Sequence, residues 1–255
     1  MSPALHVFDM DGTILGPPAD GASGQPHSAA LEIARHLGCH PQVLDLEKRL
    51  ARHEMTHPEF AVAFHQLCTG SPQPLTEADM IEIFENAAWI RGLDHVVADI
   101  HDRGEKCAVV TMSNERFAEL LVDRRGIDYV VGTPCPTLPW TRAEPLDPDL
   151  APGPGDKPSL VQAIRQTAGV PRNRVIAYGD GSSDEPLFQH LDKTVAVNAS
   201  AALRALATRT HAGPDLWPAY QQGRDLLAHD PPCRTTGPRG PGAGLTLPSR
   251  SPSTP

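Results

Sequence analysis

Short apolar runs recur along the chain, and most are followed by longer amphipathic stretches. The runs 5–8, 107–111, 128–131, 175–178 and 194–197 have the length and turn-residue bounds of buried strands. Between them, 94–103, 114–125, 159–168 and 185–191 carry a helical period. Gly104, Gly126 and Gly169 each follow a helical segment, at the position where a left-handed C-terminal cap favours glycine. Alternating strand and helix predict βαβ units, and hence an α/β fold with a doubly wound parallel sheet covered on both faces.

The stretch 17–88 breaks this alternation. It has no clear strand pattern and shows four helical segments at 28–37, 43–54, 59–68 and 77–87, with Thr76 and Asp79 at capping-box spacing before the last. Placed directly after the first strand, it is expected to form a small inserted α-helical cap at the active edge of the sheet. The core domain then comprises 1–16 and 89–228. Residues 229–255 are rich in Pro, Gly, Ser and Thr, and their apolar surface is too small to offset the entropy of ordering, so a disordered tail is predicted. The segment 133–158 holds eight prolines and is read as an insertion near the site or a partly mobile one.

Composition narrows the function. A net charge of −9 argues against nonspecific nucleic-acid binding, which needs a basic face. The chain has neither a long apolar run nor a basic-then-apolar leader, so no membrane partner and no secretion are expected. Five scattered cysteines without a CxxC pair point to reduced thiols in a cytoplasmic protein.

The chemistry gathers at strand ends. Asp9 and Asp11 stand two residues apart where the first strand stops, with Gly12 marking the turn. Ligands of open α/β sheets bind beyond the carboxyl ends of the strands. Carboxylates there can hold Mg²⁺, attack an electrophile or move protons. Thr111 ends the second strand, and the N–H groups of 112–114 open a helix suited to an anion. Lys157 precedes another helix. Asp180 and Asp184 lie four apart in YGDGSSD, whose two glycines permit the close backbone approach a metal site needs. Taken singly, Asn114 and Asp184 also suit helix caps and Lys157 a solvated side chain.

Together and in this order, DxDGT, a strand-end Thr, a Lys and GDGxxD resemble the motif set of the haloacid dehalogenase-like (HAD) phosphatase superfamily, from Leu5 to about Thr210. The pattern is most similar to the phosphoserine phosphatase-like branch. The resemblance implies a Rossmann-like core with strand order 5-4-1-2-3 and a Mg²⁺-dependent phosphomonoester hydrolase acting on a small phosphorylated metabolite. It further implies that Asp9 attacks phosphorus to form an aspartyl-phosphate, and that Asp11 serves as acid and then base. Mg²⁺ would be held by Asp9, Asp11 (through its backbone carbonyl) and Asp180, with Asp184 as a ligand or just behind, and Thr111 and Lys157 would bind the phosphate. A like-charge contact near 4 Å is unfavourable by about 4 kcal/mol at an effective dielectric of about 20, which Mg²⁺ and Lys157 would offset. Asp11 argues against a dehalogenase, which lacks that second carboxylate.

The alternatives are a phosphotransferase or mutase using the same intermediate, a true phosphoserine phosphatase and, last, a non-catalytic binding module. The branch pairs a Glu at the start of the cap with a cap Arg around its substrate. Here 16–31 contain no Glu, and 57–69 contain neither Arg nor Lys. A sugar or polyol phosphate is therefore expected to outrank phosphoserine, and Arg52, His53 and His57 are the candidate substrate contacts in the cap.

Overall fold

The computed structural model describes residues 3–16, 27–141 and 144–228, so the expected tail at 229–255 lies outside the described residues. The order of elements is β1 (Leu5–Phe8), α1 (Ala29–His36), α2 (His40–Ala51), α3 (His57–Thr69), α4 (Glu77–Asn86), α5 (Leu93–Asp102), β2 (Lys106–Asn114), α6 (Glu115–Arg125) and β3 (Tyr129–Thr133). There follow α7 (Lys157–Thr167), β4 (Val175–Gly179), α8 (Glu185–His190), β5 (Thr194–Val197), α9 (Ala201–Leu206), β6 (Arg209–His211) and α10 (Leu216–Ala228).

The strands form one parallel sheet in the order β3-β2-β1-β4-β5-β6. The expected five-strand order is present, with one strand added at its edge. Arg209 and Thr210 of β6 are exposed and polar, so no apolar run announced that strand. β1, β4 and β5 are buried throughout, which follows from helices lying on both faces.

Alternation along β1 separates two cores. Leu5 and Val7 pack with Ala108, Val175 and Ala177 beneath α7, α8 and α9, through Val161, Ile164, Phe188 and Leu203. Phe8 faces the other way, into a larger cluster with Ile100 of α5, Phe117 of α6 and Tyr220 of α10. That same cluster takes in Leu31 and Ile33 of α1, Val43 of α2, Phe64 of α3 and Met80 and Phe84 of α4. The inserted helices thus have no core of their own and are fastened to one face of the sheet.

Local signals explain how the helices start and stop. Thr56 and Thr76 cap α3 and α4 with complete capping boxes, through Glu59 and Asp79. Pro58 occupies the first turn of α3, where the missing N–H has no intrahelical partner to lose, so α3 begins earlier than its apolar pattern indicates. The chain leaves for the helical block and returns from it side by side: Gly16 N–H donates to Ala88 O (3.1 Å) and Ile90 N–H to Ile14 O (2.9 Å).

The proline-rich segment after β3 packs against this block. Trp140, 2% exposed, meets Phe64 edge-on at 6.1 Å, and its indole N–H donates to Pro136 O. Far from the strand ends that carry the motifs, Glu105 forms a buried polar hub. It accepts from His6 (3.1 Å), Arg174 (3.3 Å) and Arg224, while His6 also bonds the Tyr178 hydroxyl (3.0 Å). Burial lowers the pKa of His6 and keeps the ring neutral, so it donates to Glu105 and accepts from Tyr178.

Candidate active site

Because the strands are parallel, their carboxyl ends share one edge, and β1 lies between β2 and β4. Asp9, Asp11, Thr111 and Asp180 consequently line one cavity of about 380 Å³. The Asp9 N–H donates to Tyr178 O at 2.9 Å, which fixes the end of β1 against β4. The turn after Asp11 is tight. Gly12 has φ +83°, and a side-chain carbon there would fall on the Asp180 carboxylate, so both backbone conformation and space demand glycine. At Gly179 space alone demands glycine, because a side-chain carbon there would fall on the Asp184 carboxyl.

Lys157 is fully buried behind the cavity. Its ammonium donates to Asp9 Oδ1 at 2.6 Å and to Asp184 Oδ1 at 2.7 Å. Burial alone would lower its pKa, but Asp184 and Asp9 together hold it above the ordinary lysine value. It therefore acts from behind the nucleophile candidate and does not line the cavity itself. The other oxygen of Asp184 accepts the N–H groups of Asp180 (3.1 Å) and Gly181 (3.3 Å), so this carboxylate organises the loop. Thr13 donates to Asp180 Oδ1 at 3.1 Å.

One ammonium faces more carboxylates than it can neutralise. Burial, only partly relieved by Lys157, pushes the pKa of Asp9 up to about 7. Burial raises Asp11 to about 7 as well, and Asp180 rises through burial and the neighbouring Asp9 and Asp184 charges. Oxygens of Asp9, Asp180 and Asp184 lie within 4.8 Å of one another. An all-oxygen, charge-deficient cluster of this kind fits a hard divalent cation such as Mg²⁺.

On the sheet side, Thr111 is buried and its hydroxyl accepts the Ser113 N–H at 3.1 Å, while Asn114 caps α6 by accepting the Phe117 N–H. On the opposite wall, Asp11 Oδ1 accepts the Ala29 N–H at 2.9 Å, and Ser28 Oγ accepts that of Leu31. A core carboxylate thus helps satisfy the first turn of α1. The Ser28 hydroxyl proton goes to Glu47 Oε1 of α2 at 2.6 Å. Burial raises the Glu47 pKa, with the Ser28 hydrogen bond opposing it.

Of the three cap candidates, only His57 lines the cavity; burial and then Lys157 lower its pKa. Arg52 and His53 are not in the cavity's lining: both follow the end of α2, where His53 takes φ 58°, and Arg52 is solvent-exposed beside Glu54. The cavity wall also carries polar side chains that were not among the sequence candidates: His27, Ser28, Glu47, Ser113, Ser183 and Asn198. Ser113 and Asn198 adjoin strand ends, a usable signal, whereas Glu47 sits in DLEKRLA and looks like any solvated helix residue.

Residues 6–189 match the family described as haloacid dehalogenase-like hydrolase. The chain is 24% identical over 203 residues to a phosphoserine phosphatase of Archaeoglobus fulgidus, covering 80% of this chain and 55% of that one. It is 25% identical over 217 residues to a phosphoserine phosphatase of Mycobacterium tuberculosis, covering 83% and 48%. It therefore spans about half the length of these two relatives. A solved structure described as a phospho-aspartyl intermediate analogue of phosphoserine phosphatase shares the fold, with TM-score 0.70 and 18% identity over 87% of this chain and 99% of that one.

Proposed function

This chain belongs to the haloacid dehalogenase-like hydrolase family, and from that premise we propose that it hydrolyses a small phosphomonoester through an aspartyl-phosphate on Asp9. The observation that carries the reading is the convergence of Asp9, Asp11, Thr111 and Asp180 on one cavity, with Lys157 bonded to Asp9 from behind. The related fold described with a phospho-aspartyl analogue supports the same chemistry.

In this mechanism an Asp9 carboxylate oxygen bonds to phosphorus while the ester P–O bond breaks. Lys157 holds that carboxylate ionised and oriented. Asp11 gives its proton to the departing alkoxide, then takes one from the water that attacks the phosphoaspartate, and Asp9 leaves as carboxylate. The buried hydroxyl of Thr111, which accepts the Ser113 N–H and keeps its own proton to donate, orients a phosphoryl oxygen. Asp9, Asp180 and the backbone carbonyl of Asp11 would hold Mg²⁺, with Asp184 behind them, and the cation would supply charge compensation for the phosphoryl group. Helices α1 to α4 form the cap over the leaving group, and the paired backbone at 14–16 and 88–90 is part of its attachment.

The test is release of inorganic phosphate by purified protein before and after EDTA. Chelation is expected to reduce turnover at least about a hundredfold, with recovery on adding Mg²⁺. Release that is insensitive to EDTA would refute the metal assignment.

A further inference from the structure

The cap wall of the cavity carries a charge that the phosphoryl chemistry does not use. Glu47 of α2 lines the cavity from the side opposite the catalytic loop. Its Oε1 is occupied by the Ser28 hydroxyl, whereas Oε2 has no hydrogen-bond partner and no cation pairs with the carboxylate among the described residues. In the first turn of α1 the Leu31 and Ala29 N–H groups are already taken by Ser28 and Asp11. No Lys or Arg lines this cavity among the described residues. His27, whose Nδ1 is buried without a partner among the described residues, shares the wall with Glu47, Leu50, His57 and Phe60.

Resting on the phosphatase reading, the geometry points to Glu47 as the subsite for a cationic leaving group: the substrate is the phosphate monoester of an amino alcohol that carries no carboxylate. An ammonium placed in the cavity supplies the charge and the hydrogen-bond donor that Glu47 lacks. A carboxylate on the same substrate would face Glu47 and Asp11 with no basic side chain to receive it, and desolvating such a charge without a partner is strongly unfavourable. A neutral polyol can bond to Oε2 but leaves the half-buried charge uncompensated. The subsite therefore ranks amine esters above neutral ones, and both above amino-acid esters.

The experiment measures binding and turnover separately, on the full chain with Mg²⁺. Calorimetric Kd values are determined for O-phosphoethanolamine, glycerol 3-phosphate and O-phosphoserine with wild type, Glu47→Gln and Glu47→Asp, each also carrying Asp9→Asn so that the ligand is not turned over; kcat/KM follows for the same set with Asp9 intact. The wild type is expected to bind the amine ester at least tenfold more tightly than the other two. Glu47→Gln, which keeps the shape and a Ser28 partner, is expected to remove that preference, and Glu47→Asp to retain part of it. Equal wild-type affinity for amine and neutral esters, or phosphoserine bound most tightly, overturns the subsite whatever the turnover. An intact amine preference without hydrolysis of any ester overturns the phosphatase reading and leaves the subsite standing. If Glu47→Gln does not fold, the wild-type ranking and Glu47→Asp decide the matter.

Discussion

Replacing Asp9 with Asn is expected to reduce phosphate release by about 10⁴-fold or more, the scale on which loss of a covalent nucleophile is felt. The amide is nearly isosteric, but it cannot attack phosphorus as a carboxylate does. The fold should survive, because Lys157 keeps its bond to Asp184 (2.7 Å) and the backbone bond from Asp9 N–H to Tyr178 O does not involve the side chain. Asp11→Asn should be milder, about 10²–10⁴-fold, since it removes proton transfer and leaves the nucleophile. Its cost to the cap is small, as the Asn side-chain oxygen can still accept the Ala29 N–H. Steady-state phosphate release, with circular dichroism to verify folding, distinguishes the two variants. Asp9→Asn turning over at the wild-type rate would overturn the assignment of the nucleophile.

The largest stability effect is expected far from the cavity, at Glu105. Its two oxygens serve His6, Arg174 and Arg224 at once, and it joins β1, the start of β4 and α10. Glu105→Ala removes the anion and leaves two arginines and a buried imidazole without their acceptor. Breaking a buried charge pair from one side costs about 3–5 kcal/mol, and Arg174 and Arg224, 14% and 23% exposed, place the expected loss toward the lower end, near 3 kcal/mol. For a chain of this size that corresponds to a fall in Tm of roughly 6–12 °C. Glu105→Gln should recover part of the loss, because it retains one acceptor oxygen. Denaturant melts monitored by circular dichroism measure both, and a loss below about 1 kcal/mol for the Ala variant would show that α10 is held by its apolar contacts alone.

Much of the core was legible because its signals are local. Each of the first five strands is a short apolar run, since helices cover both faces and every residue of β1, β4 and β5 is buried. The carboxylates stand where those runs stop, so Asp9, Asp11 and Asp180 could be named before any geometry was known. The caps at Thr56 and Thr76 were written as three-residue spacings, although only the second was read from the chain. Where a local signal was absent, the reading missed: β6 is short and polar, and its place beside β5 rests on backbone pairing that no side-chain pattern records.

The amino-acid sequence by itself determined the alternation of strands and helices, the chemistry at the strand ends and the helical character of the inserted block, because all three depend on neighbours within a few positions. Tertiary structure alone decided which side chains meet across the cavity. Arg52 and Glu47 lie on or just beyond the same helix, five positions apart and both charged, yet one points to solvent and the other lines the cavity. The difference comes from which face of α2 packs on α1 and from the left-handed conformation of His53 just past the helix end. Those are settled by the fit of Val43 into a core shared with the sheet, a property of the whole assembly that no window of the chain contains.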